Sequence, residues 1–89
     1  MMKTINFKEL SVYTGISKKE KVTGDARESF ADILYTRFSG IRAKNLALKI
    51  FNSEGETEFT EEDVNLIKTA VDAYCTPAFS DAVNEQLER

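Results

Sequence analysis

The apolar residues of this chain change their spacing at Asp25, and that change limits the folds open to it. Before Asp25 they alternate, as on a strand with one buried face; after it they recur every three or four residues, as on a helix with one buried stripe. In KTINFKELSVY, residues 3–13, Ile5 and Phe7 share a face. After a one-residue slip at Lys8 or Glu9 so do Leu10 and Val12, which predicts a strand with a bulge. Thr14-Gly15 offers a tight turn into ISKKEKV, where Lys18, Lys19 and Lys21 separate Ile16 from Val22. Lysines on an edge strand discourage edge-to-edge aggregation, so a β-hairpin is expected over residues 3–23. Two strands are unstable alone and must lie on the helices that follow.

Those helices are fenced by local signals. Asp25 and Glu28 have the spacing of a capping box ahead of Phe30, Ile33, Leu34 and Phe38, and Ser39-Gly40 ends that stripe. A second helix, from about residue 41 to 51, turns Ile41, Leu46, Ile50, Ala43 and Ala47 toward a core and Arg42, Lys44 and Lys49 outward. Thr60 is a good N-cap, Asp63 stands three residues on, and Phe59 and Val64 have the spacing of a hydrophobic staple. The third helix carries Val64, Ile67, Val71 and Tyr74 or Cys75 on one face. Thr76-Pro77 stops it and starts a fourth, with Phe79, Ala82, Val83 and Leu87 as a narrow stripe, because proline fits a first turn and breaks an ongoing one. The expected fold is a small α+β domain of order ββαααα: an N-terminal β-hairpin packed on a bundle of three to four short helices. A single domain spans residues 1–89, with the hairpin at 3–23 and the helical part at 25–88.

A chain of 89 residues buries only about 60–65% of its unfolded surface, which leaves little room for a deep pocket. Histidine is absent, which removes the commonest general base, the usual triads and most zinc sites. The single Cys75 lies on an apolar stripe, where a buried thiol is expected rather than a nucleophile. No enzyme activity and no cofactor are expected on these grounds. No apolar run reaches the length of a membrane span and MMKTINFKEL lacks a signal-peptide core, so the expected location is cytoplasmic, without membrane contact. Charge is unevenly spread: residues 1–51 hold ten Lys/Arg and five Asp/Glu, +5, whereas residues 52–89 hold two and ten, −8. If the halves stay apart, the polarity steers a charged partner or favours head-to-tail association; if they meet, it is neutralised.

Three candidate sites follow. The acidic stretch NSEGETEFTEED, residues 52–63, resembles an EF-hand loop, with Asn52, Glu54, Glu56 and Asp63 at ligand positions and Phe59 as the central apolar residue. Thr57 stands where that loop needs glycine, Glu54 and Glu56 are long, and Asp63 is short for a closing ligand. An acidic turn leading into a stapled, dipole-favoured helix start explains the same residues without metal and is the preferred reading. A helix-turn-helix over residues 26–51 would aim Arg37, Arg42, Lys44 and Lys49 at DNA phosphates, although a sequence pI near 4.9 opposes it. The third candidate is a protein-contact surface of apolar residues left over after one helix face is buried: Leu48, Phe51, Leu66, Phe79 and Val83, with Arg42, Lys44 and Lys49 as steering charges.

The run LALKIFNSEGETEFTEEDVNLIKTAV followed by TPAF is similar to small phage and prophage open reading frames, with an "LA-x-KI" helix, an acidic turn, a "DV-x-LIK" helix and a "TP" break. The resemblance covers residues 46–88. It implies a mobile-element origin and a small accessory role, and brings no functional residues with it. The expected function is therefore non-enzymatic: contact with a protein partner, or with a second copy of the chain.

Overall fold

Residues 3–88 are described by the structure, a computed structural model. Its elements run β1 (Lys3–Ile5), β2 (Leu10–Tyr13), β3 (Lys21–Gly24), α1 (Arg27–Arg37), α2 (Ile41–Phe51), β4 (Thr57–Phe59), α3 (Glu61–Tyr74) and α4 (Pro77–Leu87). The fold is α+β, with an N-terminal β-hairpin and four helices.

The strand expected over residues 3–13 is two strands, not one with a bulge. Asn6 breaks it: its Oδ1 accepts hydrogen bonds from the backbone N–H of Lys8 and of Glu9, each at 3.1 Å, which turns the chain. The hairpin is β2–β3, antiparallel, with Leu10 opposite Gly24 and Tyr13 opposite Lys21. Its connection, residues 14–20, is longer than the tight turn expected. Thr14 N–H bonds to the Glu20 carbonyl at 3.0 Å, and Lys18 adopts a positive φ of 57° inside the loop. β1 pairs instead with β4, antiparallel, with Lys3 opposite Phe59. Three residues of the acidic stretch, Thr57–Phe59, are thus drawn into a strand.

The first helix begins later than its capping signal. Asp25 does not cap it; the N-cap is Ala26, without a side-chain bond. The Asp25 carboxylate is taken by Arg27, whose Nε donates at 3.0 and 3.1 Å and whose second terminal nitrogen donates at 2.7 Å. Asp25 Oδ1 also accepts from the Arg27 backbone N–H at 3.0 Å, so the carboxylate meets the first N–H of the helix from one residue outside the N-cap while it holds the guanidinium. This holds Asp25 down at about 2, from a usual 3.8. The other starts follow their signals: Thr60 accepts from Asp63 N–H at 3.2 Å and Thr76 from Phe79 N–H at 3.3 Å, with Pro77 in the first turn of α4. Gly40 precedes α2 with φ 100°, a conformation costly for other residues.

The core is aromatic at its centre. Phe7 stacks on Phe30 at 5.2 Å between ring centres, Phe59 meets Phe7 edge-on at 5.9 Å, and Phe79 stacks on the other side of the cluster against Phe30 at 5.7 Å. Four segments far apart in sequence are joined there. α4 lies across β1 and β2 and against α3. The Gln86 side chain clasps Asn6 from both sides, accepting from its N–H at 2.6 Å and donating to its carbonyl at 3.3 Å.

Candidate interaction surface on the second helix

α2 buries Ala43, Leu46, Ala47 and Ile50, and the 100° step of a helix places its remaining residues on two flanks of that arc. On one flank lie Arg42, Asn45 and Lys49, next to the start of α3. Arg42 pairs with Glu62; Lys49 Nζ donates to the Glu58 carbonyl at 2.6 Å, lies 3.8 Å from the Asp63 carboxylate and sits 4.7 Å above the Phe59 ring. This flank is closed by charge, around a shallow hollow of about 350 Å³ lined by Ile41, Arg42, Asn45, Leu46, Lys49 and Asp63.

The other flank carries Lys44, Leu48 and Phe51, at helical spacings of four and three residues, with Ile41, three residues before Lys44, at the border between that flank and the hollow. Ile41 is 70% exposed, Leu48 48% and Phe51 49%; on α1, Tyr35 is 64% exposed. Phe51 shares a hollow of about 420 Å³ with Asp25, Arg27 and Glu28, so this flank adjoins the α1 side bearing Glu28, Asp32 and Tyr35, spaced four and three apart. Glu28, Asp32 and Lys44 form no ion pair with any described residue. The result is an open face on the α1–α2 hairpin, apolar along α2 and acidic along α1.

The residues expected to touch a partner divide. Leu48 and Phe51 are on the open face. Leu66 is partly buried against the core, and Phe79 is held in the aromatic stack. Val83, 1% exposed, is a core residue and offers nothing to a partner. The narrow stripe of α4 suffices for firm docking because β1, β2 and α3 all meet it. Of the three steering cations, Arg42 and Lys49 are engaged by α3 and only Lys44 stands outside a pair. Ile41 and Tyr35 were not singled out as contacts. Ile41, expected in the core, is five residues from Leu46, about 140° away round the helix, and seven from Leu48, which sets it on Leu48's side.

The metal candidates lie on different elements. Asn52 caps the end of α2, Glu54 and Glu56 flank the exposed turn before β4, and Asp63 sits in the first turn of α3 beside Lys49. Among the described residues no three His, Cys, Asp or Glu side chains are grouped to hold a metal ion. Thr57, where an EF-hand loop needs glycine, is instead the first residue of β4, a strand not expected from the sequence.

A second polar cluster fastens the hairpin to α4. Tyr13 Oη donates to Glu85 Oε1 at 2.8 Å, Lys21 Nζ donates to Glu85 Oε2 at 3.3 Å, and the Lys21 ammonium lies 4.6 Å over the Tyr13 ring. The Tyr13 hydroxyl, then Lys21, lower the Glu85 carboxyl below its usual range; Glu85 and Tyr13 raise Lys21. Burial alone raises the Cys75 thiol, which disfavours the reactive thiolate. Among the described residues, four of five ion pairs join residues 1–51 to residues 52–89, so much of the charge polarity is spent inside the fold. No described helix is long and apolar enough to cross a membrane.

No protein family, curated protein or solved structure matches this chain significantly.

Proposed function

We propose that the protein is a small non-enzymatic interaction module, acting by protein–protein contact through the open face of the α1–α2 hairpin. The observation that supports this reading most is the row Ile41, Leu48 and Phe51 beside Tyr35: four large apolar side chains, each about half exposed or more, on one face. Together they present roughly 450 Å² at about 200 Å² per fully exposed side chain, within the range of the largest patch on an ordinary monomer, which is often functional. Nucleic-acid binding through α2 is disfavoured because Arg42 and Lys49 already serve α3. An accessory role in a mobile element rests on the resemblance of residues 46–88 alone. The test is site-specific photo-cross-linking in cells that carry the protein natively, with the reactive side chain at Leu48 or, as control, at Asn45 on the closed flank. Discrete products from position 48 and not from position 45 are expected; none at 48, or equal labelling at both, contradicts the reading.

A further inference from the structure

We propose that the partner of the open face is the same face of a second copy of this chain. This rests on reading that face as a contact surface, and adds which surface fits it. The chain reverses at residues 38–40, so counting outward sets Tyr35 level with Ala43, Asp32 with Leu46 and Glu28 with Ile50. Asp32 on α1 therefore lies level with the interval between Lys44 and Leu48 on α2, about 3 Å along the axis from each at 1.5 Å per residue. Within one chain these side chains project from adjacent helices out of the same face, and Lys44 and Asp32 do not pair. A two-fold axis running along the seam of the hairpin changes this. It lays α2 of each copy antiparallel on α1 of the other and closes a four-helix arrangement. Each Lys44 then meets the other copy's Asp32, Ile41 meets Tyr35, and Phe51 covers the stem of Glu28.

The face is self-complementary in charge: the only cation on the α2 stripe is opposed by the only carboxylates on the α1 stripe, and none of the three forms an ion pair with a described residue of its own chain. The apolar area, roughly 450 Å², falls short of the about 800 Å² per partner of a tight complex. With the charged residues added it fits a dimer at the weak end of specific association, so monomer and dimer exchange with concentration. A head-to-tail contact between the basic and acidic halves lacks this support, since four ion pairs already join those halves within the chain.

The test is sedimentation equilibrium of the whole chain over a micromolar-to-millimolar range, with Lys44→Glu, Asp32→Lys and the double variant, each checked for fold by circular dichroism. The wild type is expected to show a monomer–dimer equilibrium, each single variant to dimerise about tenfold or more weakly, and the double variant to recover, because the swap restores opposite charges. A wild type that stays monomeric throughout, single variants that dimerise as the wild type does, or a double variant no better than the singles overturns the proposal. The mass of the product cross-linked at position 48 separates the two readings. Twice the chain mass supports the dimer; a product with a different protein overturns the dimer and leaves the contact surface standing; no product overturns both.

Discussion

On one flank of α2, Arg42 and Lys49 are tied to Glu62, Asp63 and the Glu58 carbonyl; on the other, Lys44 stands among Ile41, Leu48 and Phe51 with no ion pair to any described residue. Both flanks mix cations with carbon, and both adjoin carboxylates. The difference lies in what the chain does next. After α2 it turns through the buried Ser53, runs as β4 beside β1 and starts α3 with Glu61, Glu62 and Asp63 against the first flank. Among the described residues, no later segment returns to the second. A helix surface becomes structural or available according to the path of a neighbouring segment, not its own composition.

The sharpest break in this comparison comes from two phenylalanines at its edges. Phe59 is fully buried beneath Lys49 and against Phe7, so Phe59→Ala is expected to cost about 3–5 kcal/mol in urea denaturation. Phe51→Ala, on the open flank, should cost less than about 1 kcal/mol, and equal losses would erase the distinction between the flanks. Thr60→Ala removes the cap that sets the α3 carboxylates against α2 and should cost about 1 kcal/mol, read from the same denaturation curves. A smaller contrast separates the lysines. Lys49→Ala loses a hydrogen bond and a partly screened pair, roughly 0.5–1 kcal/mol, while Lys44→Ala leaves the stability of dilute protein unchanged.

The smallest expected effect is on acid stability. Asp25 has its folded value depressed to about 2 from 3.8, so its contribution is complete above 3.8 and is lost as pH falls toward 2. Glu85 is shifted in the same direction and loses its hold on Tyr13 and Lys21 in acid as well. Thermal melts should therefore drop at low pH, and Asp25→Asn should shallow that drop. A carboxyl NMR titration placing Asp25 at its usual value would contradict the Arg27 clasp.

The helical half was readable from sequence because its boundaries are local: Gly40, Thr60, and Thr76 with Pro77 act on their own turns. The β half was readable only in kind. Pairing β1 with β4 joins two three-residue strands on either side of α1 and α2, too short for alternation to show and too distant for a turn signal. Asp25 misled by one residue: its carboxylate holds both the N–H and the guanidinium of Arg27, and the N-cap position falls to Ala26. At the candidate surface, Leu48 and Phe51 were legible as apolar residues left off the buried arc. Val83 was not, since the need for α4 arises from strands whose positions depend on that distant pairing. Ile41 was legible in principle, because counting its angle from Leu46 removes it from the core.

The most direct measurement is a two-dimensional amide NMR dilution series, taken from micromolar to millimolar protein. Shifts confined to the neighbourhood of residues 28–35 and to Ile41, Lys44, Leu48 and Phe51, with Arg42, Asn45 and Lys49 stationary, are the expected result. Shifts centred on the β2–β3 hairpin or the start of α3, or a spectrum unchanged at every concentration, would contradict the account of α2 as a helix with one flank built in and the other left for a second copy.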